Sequence, residues 1–159
     1  MTNSPVEIGR GHKARAYITG TQRYNSGVMT ESRIRVRYAE TDQMGMVYYA
    51  NYLIWMEVGR SDFCRECGFS YREMEREEQA FLAVAEANCR YLAPARYDDE
   101  VVIETVLSRV RSRVVEFTYQ IKSGGTLLAE GRTLHVVIGN DGRPRSMPDR
   151  YLELLKSKM

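Results

Sequence analysis

The 159-residue chain, 43% of it hydrophobic, is long enough to bury the core of one domain and short for two. Its formal charge is +2, and residues 1–28 hold Arg10, Lys13, Arg15 and Arg23 against Glu7 alone, which leaves the body slightly acidic and argues against nucleic acid as a partner. No apolar run approaches the roughly 20 residues a membrane-spanning helix needs, and the N-terminus lacks the apolar stretch of a secretory signal, so a soluble, cytoplasmic protein with no membrane partner is expected.

Residues 1–28 contain four glycines and no sustained hydrophobic period, which predicts a disordered extension ahead of a single domain over 29–159, with Met29 an alternative start. Residues 31–40 alternate Ile34, Val36 and Tyr38 against Arg33, Arg35 and Arg37, the period-two pattern of a half-buried strand. Glu40 is expected at its solvated end. A polar loop follows at 41–45, where Gly45 suits a turn with positive φ.

From residue 48 to 67 the period changes: Tyr52, Trp55, Met56, Phe63 and Cys67 recur at three- and four-residue spacing on one side of a helix, and Gly68 suits its stop. Gly59 in its middle lowers helix propensity and makes sense if a sheet passes close against it. Cys64 and Cys67 form a CxxC. With histidines only at positions 12 and 135, buried thiols one turn apart fit better than a redox or zinc centre.

A short polar helix is expected over 71–79, then strands over 81–92, 101–109, 113–122 and 126–138. In the third of these, Val115, Phe117, Tyr119 and Ile121 oppose Val114, Glu116, Thr118 and Gln120, and Ser123-Gly124-Gly125 makes a tight turn into the fourth. The loop 139–144 ends the sheet, and Pro148 suits the first turn of a C-terminal helix. One strand, a long helix and four antiparallel strands give an α+β architecture in which the sheet can curl around the helix. Its open edges favour pairing with a second copy.

The informative stretch is YAETDQMGMVYYANYLIWME, residues 38–57, in which Asp42 sits in a loop shortly before the buried helix. Backbone N–H groups at a helix N-terminus can polarise a carbonyl and hold an oxyanion. A nearby carboxylate can attack the carbonyl carbon or activate water against it. Spacing alone favours Asp42 serving only as a cap for loop or helix amides, the usual job of an aspartate there, with Glu40 a competing carboxylate.

The same run closely resembles the signature of the 4-hydroxybenzoyl-CoA thioesterase and YbgC/FadM-type hotdog enzymes: an aspartate after the first strand, a glycine, an aromatic pair, and Asn-Tyr opening the central helix. The similarity in element order covers residue 31 to the C-terminus. It implies a hotdog fold, a five-stranded antiparallel sheet wrapped around a long central helix, and hydrolysis of an acyl-CoA thioester. Asp42 would be nucleophile or general base and the Tyr49 backbone N–H the oxyanion donor, with Tyr38, Gly45, Val47 and Tyr48 as substrate contacts. Many YbgC-type members carry histidine in place of Tyr49, a change that leaves a backbone donor intact but bears on acyl preference. The resemblance further implies a homodimer assembling into a homotetramer, the pantetheine arm between subunits, and the nucleotide on surface arginines, for which Arg111 and Arg113, beside Arg109, are the candidates. No resident cofactor or metal is implied, since coenzyme A belongs to the substrate. An acyl-carrier-protein thioester is the alternative substrate and a non-catalytic acyl-CoA-binding module the alternative class. A dehydratase would need a histidine, and 42–52 has none.

Overall fold

A computed structural model describes residues 27–159. The expected extension therefore lies, up to residue 26, outside the described residues, while the Val28 N–H is bonded to the Lys158 carbonyl. Strands β1 (Met29–Arg35), β2 (Phe81–Tyr91), β3 (Glu100–Arg111), β4 (Val114–Ser123) and β5 (Thr126–Ile138) accompany helices α1 (Asn51–Glu66), α2 (Tyr71–Glu78) and α3 (Asp149–Lys156). The strands form one antiparallel sheet in the order β1-β3-β4-β5-β2, so β1 and β2 are its edges.

The sheet packs on α1, whose Tyr52, Trp55, Met56, Phe63 and Cys64 are buried. Facing them, the alternation of β4 puts Val115, Phe117, Tyr119 and Ile121 fully inside, and Phe63 meets Phe117 edge-on at 5.6 Å. Gly59 lets the helix approach β3 closely: a Cβ there would run into Thr105 Oγ1 and Ile103 Cγ2. On the edge strand β1 the inward face carries Ile34, packed against the core, and Thr30 and Ser32, whose hydroxyls donate to Glu66 and Asp62 of α1, each at 2.6 Å. That polar seam joins the helix to the edge strand. At the far end α3 buries Tyr151, Leu152 and Leu155, and Tyr151 stacks on Phe69 at 5.0 Å.

This is the expected hotdog architecture, with three local differences. The first strand ends at Arg35 rather than at Glu40, and Tyr38–Glu40 make a 3-10 turn. Because that turn advances by three residues rather than two, it reverses the expected faces: Tyr38 turns out, 78% exposed, while Glu40 turns in, 5% exposed. The helix begins at Asn51 rather than at Tyr48. Cys64 and Cys67 are both buried, and burial raises their thiols to about 12 and about 11, which leaves them almost wholly protonated at neutral pH.

Candidate active site

Glu40 organises the loop that leads into α1. Its carboxylate accepts from the Arg37 N–H (2.7 Å), the Arg37 guanidinium (3.0 Å) and the Trp55 indole N–H (3.1 Å). Burial alone would raise this carboxyl, but the Arg37 and Trp55 donors and the Arg37 charge outweigh it and hold it below the usual range. The Glu40 carbonyl accepts from the Tyr48 N–H (2.8 Å) and the Asn51 amide (2.9 Å). One residue thus fixes both ends of the 41–50 loop. The solvated, competing carboxylate expected from the sequence is instead a buried anchor.

Within the loop, Gly45 adopts φ +70°, a conformation that spares any residue with a Cβ only at a cost. Asp42 closes the turn with its backbone N–H on the Met46 carbonyl (2.8 Å), and its Oδ1 accepts from the Met44 N–H (2.8 Å) and, more weakly, the Met46 N–H (3.4 Å). Its Oδ2 has no hydrogen-bond donor among the described residues. Segment 93–96 supports the loop from behind: Val47 N–H donates to the Ala95 carbonyl, Arg96 to the Gly45 carbonyl (3.2 Å), and the Ala95 N–H to the Tyr52 hydroxyl (3.1 Å).

The first turn of α1 is wound tightly, with the N–H groups of Asn51, Tyr52 and Leu53 bonded to the carbonyls of Tyr48, Tyr49 and Ala50. The unbonded donors are therefore displaced back to Tyr49 and Ala50, whose N–H groups have no acceptor among the described residues. Ala50 occupies the cap position and offers no side-chain oxygen of its own. A cleft of about 430 Å³ opens here, lined by Asp42, Met44, Met46 to Tyr49, Tyr52 and residues 91–94. It is mostly apolar, with a carboxylate and a helix N-terminus at one wall.

Of the residues singled out in the sequence, Asp42, Val47, Tyr48 and Tyr49 line this cleft, and Gly45 shapes the loop. Tyr38 does not line it; its ring meets Tyr97 edge-on at the surface at 5.6 Å. Arg111 and Arg113 flank the β3–β4 turn, at the opposite end of the sheet from Asp42. The twelve residues of β3 run roughly 35 Å along the strand from Glu100, near the segment that backs the Asp42 loop, to Arg111. Arg109, Arg111 and Arg113 are exposed and without a carboxylate partner among the described residues. Sequence reasoning missed Tyr91 and residues 92–94, which sit at the end of an edge strand and carry no local motif. It also took Tyr52 for core alone, although this residue lines the cleft as well.

Residues 36–155 match the thioesterase-like superfamily. The YneP protein of Bacillus subtilis is 33% identical over 82% of this chain and 98% of its own. The acyl-CoA thioester hydrolase YbgC of Escherichia coli is 35% identical over 72% of this chain and 87% of its own. Among solved structures, the DHNA-CoA thioesterase of Staphylococcus aureus superimposes with a TM-score of 0.76 at 30% identity, covering 82% of this chain and 87% of that one. With its fold, its loop-and-helix site and the match over 36–155, the chain belongs to the thioesterase-like superfamily and is a thioester hydrolase.

Proposed function

We propose that this enzyme hydrolyses an acyl-CoA thioester with Asp42 as its carboxylate and the Tyr49 N–H as its oxyanion donor. The observation that carries the reading is the joining, in one apolar cleft, of a carboxylate with one unengaged oxygen and a helix N-terminus with open N–H groups. As the thioester carbonyl carbon becomes tetrahedral, its oxygen gains charge and is held by the N–H. Either Asp42 takes a proton from water while the water oxygen bonds to carbon, or Asp42 itself bonds to carbon and water later cleaves the resulting anhydride. In both routes the C–S bond breaks and the departing thiolate takes up a proton. Glu40 is no substitute, because its side chain is buried and both its oxygens are occupied by donors from Arg37 and Trp55.

The active unit is a dimer or larger. What supports this is the open edge of β2 together with exposed Leu53, Ile54 and Val84 nearby on α1 and β2. In such an assembly Arg111 and Arg113, remote from the cleft of their own chain, would meet the nucleotide phosphates of a substrate bound to another copy.

The test is thiol release from a panel of acyl-CoA esters by the wild type and by Asp42→Asn. The substitution keeps the size and removes the basicity, so kcat should fall by about a hundredfold or more. Near wild-type turnover, with deamidation excluded by mass spectrometry, would overturn the role of Asp42.

A further inference from the structure

The first turn of α1 carries the open donors, yet of its carbonyls that of Tyr49 is the one the helix itself holds least closely. Its cap residue is Ala50, and the bond from the Tyr52 N–H to the Tyr49 carbonyl is long, at 3.3 Å. The shorter bond to that carbonyl comes from forty-two residues away: the Tyr91 hydroxyl, at the end of β2, donates to the Tyr49 oxygen at 3.0 Å. Tyr91 also sets its ring edge-on against Tyr52 at 5.1 Å, and Tyr52 in turn accepts from the Ala95 N–H behind the Asp42 loop. Tyr91 is itself one of the residues lining the cleft.

We propose that Tyr91 is a positioning residue for the hydrolytic site, fixing the peptide at Tyr49 so that the neighbouring N–H groups face the developing oxyanion. The Tyr49 carbonyl and the Ala50 N–H belong to one planar unit and point in opposite directions, and the Tyr49 N–H lies one Cα away. Pinning the carbonyl therefore aims the Ala50 N–H directly and restrains the Tyr49 N–H through the shared Cα, while the Tyr49 N–H's own peptide is held by the bond from the Asn51 N–H to the Tyr48 carbonyl. It also keeps the carbonyl dipole from swinging towards the cleft, where it would repel an oxyanion. Burial, with a smaller contribution from Cys89, raises the Tyr91 hydroxyl to about 12, so it remains a donor throughout the pH range in which thioesters are assayed. The role belongs to the transition state: ground-state binding of the thioester does not require the donors to be aimed.

The inference rests on the helix-donor reading above, and its test separates the two. Tyr91→Phe keeps the ring and its packing on Tyr52 and removes only the hydroxyl. Its kcat should fall about tenfold, a loss of about 1.4 kcal/mol of barrier stabilisation, with KM changed less than about twofold. The affinity for an unreactive S-alkyl-CoA thioether should hold, and the shape of the kcat-against-pH curve should not change, as expected of a group that never titrates. Tyr91→Ala, which also deletes the ring, should in addition raise KM and lower the melting temperature. A Tyr91→Phe enzyme with wild-type kcat, or one whose losses in kcat are matched by losses in thioether affinity and melting temperature, overturns the proposal. Asp42→Asn assayed in parallel reports on the carboxylate alone: if it is inactive while Tyr91→Phe is fully active, the mechanism stands and only the positioning role falls.

Discussion

Replacing Glu40 by glutamine tests whether the loop is held by a buried anion. The carboxylate places one oxygen on the Arg37 N–H and the other on both the Arg37 guanidinium and the Trp55 indole. A glutamine has one acceptor and one NH2, so whichever way it turns, its NH2 confronts a donor in a site only 5% exposed. Losing one charge-assisted bond and stranding a buried donor costs about 2 kcal/mol, which lowers the melting temperature by roughly 6–10 °C for a domain of this size. The Glu40 carbonyl holds the Tyr48 N–H and Asn51, so kcat should fall along with stability as the loop loosens. Thermal unfolding by circular dichroism with parallel turnover measurements reads both. Because the folded-state carboxyl lies below its ordinary 4.5, its stabilising contribution is present above that value and disappears as pH falls through the lower folded value. A glutamine variant within the roughly 0.5 kcal/mol typical of surface substitutions would refute the anchor.

His135 should govern stability in mild acid. It is fully buried on β5, bonded through Nε2 to Thr133 (2.9 Å), and burial, aided by the Arg60 charge, lowers it to about 4. The folded state thus holds it neutral while the unfolded chain protonates near 6.5, so stability is complete above 6.5 and declines towards 4, with about 2 kcal/mol gone by pH 5. Denaturant melts between pH 7 and 5 should show this slope in the wild type and a flatter one in His135→Gln; equal slopes would discount it. Replacing Arg111 and Arg113 together by alanine should raise KM for CoA esters more than for N-acetylcysteamine thioesters, which lack the nucleotide; equal changes would assign the pair a structural role.

The parts that could be read from the sequence are those in which periodicity and burial coincide. The alternation in β4 lies between two neighbouring strands and under α1, so its inward and outward residues differ in kind. Gly59 was legible because a glycine in a helix middle needs a steric reason, and Thr105 and Ile103 supply it. The period failed at Tyr38 and Glu40, where three residues of 3-10 turn exchange the faces; the pattern of polar and apolar letters does not record that change of rise. Nor could it record that Tyr91 reaches Tyr49, or that arginines adjacent in sequence lie at the end of the sheet remote from Asp42. Both follow from strand order, which is a long-range property.

The sequence left two readings of Asp42 open, a cap for loop amides and a reacting carboxylate, and under the proposed function the two are partners. A carboxylate free on a flexible loop would have to lose side-chain entropy each time it reacted. Here Oδ1 is already committed to the Met44 and Met46 N–H groups, and the loop around it is tied at Glu40, at Ala95 and at Arg96. The orientation is established on folding, and Oδ2 has no donor among the described residues that would compete with the proposed water or acyl carbon. A capping bond to one oxygen is thus the means by which the other is held in place, as a site that must be positioned to within about 0.5 Å requires. By the same reasoning the helix donors, which lack a cap of their own at Ala50, depend on a bond from outside the helix.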